Sequence, residues 1–488
     1  MISLLAVGVR AQGVHATVPS GEMTIPDNQW VKVGEVPDDP LGREIAQGRG
    51  AYVCFEAVNS AFLRYGGYTP TDDNSLWSFD LGRRKWENPA KVDYTWPPPT
   101  NRPGAGPWWS MAWDSKRKVV WLYGGYGLAS RSHPELFRDL WQYDPALKTF
   151  RAMKSKNTYM PTFKEFDGPR IVYDSRNDLI IRAPAYAGEW SYIANRDKTW
   201  VYNPTNDEWA GRETRGSPGG ASLAVPFVFD AAVGKCVYLA ATGDGSGETW
   251  TYDAASNHWE KLACKENPPG RVTAGAAYDE ANKQVIVYGG VSGSPQKGGY
   301  GYLYRGGGQP LHDTWALDTA KAEWKRLDVG APVLDPWPGV GTRCGTNRVE
   351  LVQSMDYDTR LGVVVVSAPV LGVWALRVRP AEAKPLAPVK LAALPPPDKP
   401  QVPGRVFPQA PPNKRLLELE PNSWVKLNGG NRVGGEEIPC AWDEETGYLL
   451  RYGGCGNTAS TFASGYCQDL TAYDPATERW IALRWADD

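Results

Sequence analysis

The sequence predicts an all-β protein, a seven-bladed β-propeller of four-stranded antiparallel blades. A recurring strand motif, tight turns of fixed chemistry and a tryptophan-rich, glycine-rich composition predict it. The motif is an apolar strand ending Tyr-Gly-Gly, then a gap, then Asp-x-Trp-x-Tyr-Asp, a short turn and a closing aromatic. The first copy has Leu63-Arg-Tyr-Gly-Gly67, Leu76-Trp-Ser-Phe-Asp80 and Trp86, and the second has Trp121-Leu-Tyr-Gly-Gly125, Asp139-Leu-Trp-Gln-Tyr-Asp144 and Phe150. The third is degenerate, with Ile180-Ile-Arg-Ala-Pro184, Thr199-Trp-Val-Tyr-Asn203 and Trp209. The fourth has Val237-Tyr-Leu-Ala-Ala241, Glu248-Thr-Trp-Thr-Tyr-Asp253 and Trp259, and the fifth Ile286-Val-Tyr-Gly-Gly290, Asp313-Thr-Trp-Ala-Leu-Asp318 and Trp324. The sixth is eroded to Val363-Val-Val-Val-Ser367 and Val373-Trp-Ala-Leu376. The seventh is full, with Leu450-Arg-Tyr-Gly-Gly454, Asp469-Leu-Thr-Ala-Tyr-Asp474 and Trp480.

Each unit also opens with a strand that ends in an aromatic-Asp turn: Trp113-Asp114, Tyr173-Asp174, Phe229-Asp230, Tyr278-Asp279, Tyr357-Asp358 and Trp442-Asp443, with Glu56-Ala57 in the first. That gives four short strands per unit. The closing residues fall about 50 to 65 positions apart, a propeller-blade period. A blade that is apolar on both faces cannot bury them alone, so blades stack radially. Trp fills the wedge between them, and Gly lets strand ends approach closely. Residues 28–488 are therefore expected to form one domain.

The Gly-Gly pair with spaced Tyr and Trp resembles the kelch motif family, over Trp30 to Trp480. Kelch propellers include copper-radical oxidases resembling galactose oxidase, whose site uses two His and two Tyr ligands beside a cross-linked Cys. This chain has no Tyr-His dipeptide and only four His, at 15, 133, 258 and 312. No copper site, other metal or cofactor is expected.

Composition narrows the function further. There are 22 Trp against 11 Phe, and 52 Gly with 41 Pro make 93 of 488 residues. With 53 basic and 55 acidic residues the formal charge is −2, which gives no case for nucleic acid or an anionic membrane. No run of about 18 apolar residues is present, so no membrane span is expected. Residues 1–20 contain Ile2 to Val9 and then Arg10-Ala11, similar to the tail of a secretory signal. A secreted or periplasmic, monomeric propeller is expected. Between Pro380 and Pro412 lie 11 Pro. This 380–415 stretch reads as an excursion before blade six closes near Trp424. Trp30 and Trp480 are both available to close the ring, and the sequence does not choose between them.

The seven Cys (54, 236, 264, 344, 440, 455, 467) form no Cys-x-x-Cys pair. Cys455 and Cys467 bracket the base of one hairpin loop, where a disulfide is expected. Cys54 and Cys440 are aligned at one first-strand position and are expected to be buried thiols, a bridge between them staying open. The pairing of Cys236, Cys264 and Cys344 is not determined.

Turns between first and second strands, and between third and fourth, are short and rich in Asp, Asn, Pro and Gly. Because strands alternate in direction, both sets lie on one face. The other face carries long, varied connections, where recognition residues concentrate. The candidates are Arg131, His133, Glu189, Tyr192, Tyr300, Tyr302, Tyr304, Arg305, His312, Trp337, Arg343 and Arg348. Aromatic rings stack on sugars, and Arg pairs bidentately with carboxylates or sulfates. The first reading is a non-catalytic module that binds an acidic or neutral glycan or a protein partner on this face. The alternative is a metal-independent glycan-active enzyme, a polysaccharide lyase or sugar isomerase, with a Tyr or His base and Arg neutralising charge. Arg271, in Pro269-Gly-Arg271, reads as structural.

Overall fold

Every blade starts from the same local device, a carboxylate that caps the first turn. In the computed structural model, Asp114 Oδ1 accepts the N–H groups of Lys116 at 3.0 Å and Arg117 at 2.9 Å. Asp174 does the same for Arg176 and Asn177, and Asp358 for Arg360 and Leu361. Asp230 and Asp279 repeat the device, and in blade one Glu56 takes it over by accepting Asn59 N–H at 3.0 Å. These six carboxylates are buried, and charge-assisted hydrogen bonds from the turn backbone compensate their desolvation.

The structure describes residues 21–35, 53–67, 73–91, 101–104, 109–124, 140–154, 170–183, 198–214, 226–242, 245–272, 274–292, 311–332, 355–368, 372–380, 389–393, 440–443, 448–456, 465–475 and 479–484, with single positions 216, 218 and 418. All secondary structure among them is β. Blade one is Val53–Glu56, Ala61–Gly67, Asp73–Asp80 and Lys85–Ala90, and blade two is Trp109–Asp114, Val119–Gly124, Leu140–Asp144 and Thr149–Ala152. Blade three is Ile171–Asp174, Leu179–Arg182, Lys198–Asn203 and Glu208–Glu213. Blade four is Phe227–Asp230, Lys235–Ala241, Gly247–Asp253 and His258–Lys261, and blade five is Gly275–Asp279, Gln284–Tyr288, Thr314–Asp318 and Glu323–Leu327. Blade six is Met355–Asp358, Val363–Ala368 and Gly372–Leu376, and its fourth strand is Val31–Gly34 from the start of the chain.

The ring closes with six blades. This corrects the predicted seven. Phe55, Phe62 and Phe79 of blade one share an apolar cluster with Val363, Val365 and Val373 of blade six, so the last blade packs directly on the first. Phe55 N–H also donates to Asp356 Oδ2 across that seam at 2.7 Å. Equivalent clusters fill the other five seams. The seventh copy folds as a separate four-stranded sheet, Cys440–Asp443, Tyr448–Gly456, Gly465–Asp474 and Arg479–Arg484.

The physical reason lies in Trp30. Two closing Trp of the ring donate their indole N–H to a Thr in the preceding blade, Trp259 to Thr199 at 2.7 Å and Trp324 to Thr249 at 2.8 Å. Trp30 donates to Thr314 of blade five at 3.0 Å and sits 5.2 Å from the Tyr288 ring. Trp209 sits 5.2 Å from Tyr123 in the same way. Asn28, two residues earlier, has φ 55°, as Arg84, Lys148, Asp207, Asn257 and Ala322 do two residues before their own closing aromatics. Trp30 is therefore the closing Trp of blade six, and Trp480 closes only the separate sheet.

The fourth strand of blade six, expected near Trp424, is Val31–Gly34, and part of the Pro-rich stretch returns to the blade six/one seam. Residues Val389–Leu391 of that stretch pair antiparallel with Met23–Ile25, and Ile25, Val389 and Leu391 join the blade six/one cluster. Arg84, buried beside them, donates to the carbonyls of Val33 at 2.7 Å and Gly21 at 2.9 Å.

Cys54, Cys236 and Cys264 are free, the first two fully buried. Because Glu56 is the turn carboxylate of blade one, Cys54 lies two residues before it, one step from the position that Cys440 holds before Asp443. The predicted alignment of Cys54 with Cys440 is corrected accordingly.

Candidate functional site at the channel and the long-connection face

The two faces of the ring differ in how they are tied. On the tight-turn face a hydrogen bond or ion pair crosses every one of the six seams. Asn59 Nδ2 donates to Pro145 O at 3.2 Å, and Arg117 Nη2 to Asp178 Oδ2 at 2.9 Å. Arg176 Nη1 donates to Val233 O at 3.0 Å, and Ala232 N–H to the Tyr278 hydroxyl at 3.1 Å. Ala281 N–H donates to the Tyr357 hydroxyl at 3.3 Å, and Arg360 Nη2 lies 3.5 Å from Asp80 Oδ1. Arg117 holds the Asp178 carboxyl well below the usual carboxylate range through its direct bond. This face is a girdle.

On the opposite face the second and third strands are joined by residues 125–139 in blade two, 183–197 in blade three and 289–313 in blade five. Blade four needs only 242–246 and blade six only 369–371. The repeat residues at these strand ends are structural. Arg271 is fully buried and donates to both Asp313 oxygens, at 2.8 and 3.1 Å, and to Gly289 O at 3.0 Å. Asp313 Oδ2 also accepts the Trp315 indole N–H at 2.6 Å. The Gly-Gly carbonyl and the Asp of Asp-x-Trp are thus the receptors for one buried guanidinium. The structural reading of Arg271 stands.

The innermost strands line the channel, and their edges leave backbone N–H groups without a strand partner. Two side chains supply acceptors. Ser110 Oγ accepts Ile171 N–H at 2.9 Å between blades two and three. Asp356 accepts Phe55 N–H at 2.7 Å with Oδ2 and its neighbour Tyr357 N–H at 2.9 Å with Oδ1. At the position of Asp356, two before the turn carboxylate, the other blades hold Cys54, Ala112, Val172, Val228 and Ala277. Burial pushes the Asp356 carboxyl up to about 6; the two N–H donors and the charge of Arg170 pull it down, and Glu280 adds to the rise. Asp356 is the one carboxylate at this first-strand position among the six blades.

That shift has a measurable consequence. A carboxyl whose folded value lies above its unfolded one contributes stability below about pH 4, and that stability is lost as pH rises towards 6. Asp356→Asn keeps an acceptor for Phe55 and removes the charge. It should flatten the fall in unfolding free energy between pH 4 and 6, by up to about 3 kcal/mol. Urea melts across that range check it; an unchanged slope contradicts the assignment.

Of the twelve recognition residues expected from sequence, His312 falls within the described chain. It is exposed beside Asp313, and partial covering holds its imidazole below the usual range against the pull of that carboxylate. Arg131, His133, Glu189, Tyr192, Tyr300, Tyr302, Tyr304, Arg305, Trp337, Arg343 and Arg348 lie outside the described residues. For the expected Cys455–Cys467 bridge, the backbone ladder pairs Cys455 with Tyr466 and Gly454 with Cys467, while the two side chains lie outside the described part. Among the described residues, no three or more His, Cys, Asp or Glu gather to hold a metal ion. Asp356 was missed from sequence, although alignment on the turn carboxylates marks it as the one charge in an otherwise apolar column plus Cys54.

These features define a six-bladed β-propeller with one clamped face and one face of variable connections. No family model matches the chain, and no curated protein matches it. Among solved structures, YjhT shares 12% identity with a TM-score of 0.40, over 67% of this chain and 93% of its own. A fungal alcohol oxidase of the AA5 family, in complex with copper, shares 12% identity with a TM-score of 0.38, over 74% of each chain. At this distance neither likeness bears on function.

Proposed function

We propose that the chain is an exported kelch-type propeller that binds a glycan or protein ligand through the long-connection face over the channel. One observation carries the reading: the tight-turn face is hydrogen-bonded or ion-paired across all six seams, and variable length is confined to the other face. A scaffold clamped on one side and varied on the other is the usual arrangement for a recognition surface. Export, the Cys455–Cys467 disulfide and residues such as Arg305 and His312 belong to this proposal.

Asp356 favours a second reading. A channel carboxyl at about 6 is suited to proton transfer at neutral pH, as a metal-independent lyase or isomerase requires. A glycan array probed with the purified chain, followed by an ultraviolet assay for unsaturated uronates on any acidic binder, separates the two. The binding reading predicts retained glycan without turnover, with retention lost in Arg305→Ala and His312→Ala. Turnover abolished by Asp356→Asn would replace it with the second reading, and no retention of any glycan or protein would contradict both.

A further inference from the structure

The ring covers its apolar faces blade against blade, and three large side chains stand outside that scheme. Among the described residues, Val58, Leu147 and Trp442 are the large apolar groups left exposed, at 40, 71 and 56%. Two of them lie together. Asn59 Nδ2 donates to Pro145 O at 3.2 Å, which holds the first turn of blade one, with exposed Ala57 and Val58, against the last turn of blade two, with exposed Ala146 and Leu147. Contiguous exposed apolar surface marks an interaction site where scattered single residues do not. The patch is also basic. Val120 stands opposite Tyr143, so turns 115–118 and 145–148 of blade two are neighbours on the tight-turn face. Lys116 and Arg117 are taken up by Asp178 of blade three. Lys118 and Lys148 are exposed and make no ion pair among the described residues.

Trp442 has the opposite setting. It occupies the place, one residue before the turn Asp, that Phe55, Tyr173 and Tyr357 bury and Trp113, Phe229 and Tyr278 half-bury in the ring. There the aromatic lies against a neighbouring blade: the Tyr278 and Tyr357 hydroxyls accept N–H groups from the first turns of blades four and five. The seventh sheet has the four strands of a blade but leaves this place bare. Its sequence continues Asp443-Glu444-Glu445 directly after the Trp.

We propose that the seventh sheet docks through Trp442 on the blade one/two patch of a second copy of this chain, and that two copies do so reciprocally. The two surfaces are complementary: each presents apolar groups, with acids beside one and lysines beside the other. Both are exposed in the single chain, so neither covers the other within it. Pairing of two seventh sheets through Trp442 would instead bring the same three acids together. A two-fold arrangement uses one small contact twice and closes, so it does not run on into a fibre. This dimer replaces the monomer expected from sequence and leaves the long-connection face open.

Sedimentation velocity of the full chain tests it, with Trp442→Ser and Leu147→Asp as variants. Both side chains are exposed, so each variant keeps the fold, which circular dichroism checks. The proposal predicts a dimer that forms below about 100 μM. Each variant should weaken it at least about tenfold, and added salt should loosen it. Mixing the two single variants should restore a dimer, because Trp442 of one meets Leu147 of the other, while the double variant stays monomeric. A parent chain that is monomeric at about 100 μM, a dimer unaffected by the variants, or one weakened by Trp442→Ser alone would each overturn it. So would single variants whose mixture fails to associate.

Discussion

Replacing Arg271 with alanine is expected to destabilise the ring by about 3–5 kcal/mol, because it leaves a buried partner charge uncompensated. The guanidinium is 0% exposed and its partner Asp313 11%. Burial alone would raise the Asp313 carboxyl, but the bonds and charge of Arg271, with the Trp315 indole and a backbone N–H, together hold the group below its usual range. Lost with the side chain are the bonds to Asp313 and Gly289 O, which tie the incoming chain to both long-connection ends of blade five, and the local bond to Pro269 O. Arg271→Lys should recover only part of the loss, since an ammonium cannot make the bidentate pair. The depressed carboxyl contributes stability above about pH 4 and loses it as pH falls below that, a dependence the alanine variant should lack. Equilibrium urea unfolding at pH 7 and pH 3 reads both effects.

Trp259→Ala should cost a similar amount, about 3–5 kcal/mol, by emptying the wedge between blades three and four. The ring is 1% exposed and lies 5.0 Å from Tyr252. Trp259→Phe separates the two contributions. It keeps most of the packing but leaves the buried Thr199 hydroxyl without its indole donor, at a cost of about 1–3 kcal/mol. Adding Thr199→Val to the phenylalanine variant should recover part of that loss. Denaturant midpoints of the three variants decide it, and equal losses for alanine and phenylalanine would place the stability in the hydrogen bond.

The blades were legible because their demands are local and periodic. Each needs a turn carboxylate, a left-handed turn residue and a closing aromatic, and all three leave marks at fixed spacing. Blade count was not legible for the same reason. The seventh copy carries the full motif, and Trp30 and Trp424 stand in matching sequence, so spacing cannot say which strand fills the slot on Gly372–Leu376. Long-range packing of Trp30 on Tyr288 and Thr314 decides it. Glu56 hid the alignment of blade one by doing the work of Asp with one more methylene, and that shifted Cys54 by a residue. The candidate site was least legible. Recognition loops obey no period, and Asp356 is conspicuous only once the inner strands of six blades are superposed in register.

The central claim is that six blades, closed by the N-terminal strand, make a complete ring. A chain of residues 21–394 retains that strand, its ribbon partner and all six blades, and lacks the seventh copy. Its circular dichroism and thermal unfolding test the claim most directly. The six-bladed ring predicts β-sheet content per residue equal to that of the full chain and a single cooperative transition near the full chain's main one. A truncated chain without cooperative unfolding would show that the seventh copy is part of the ring.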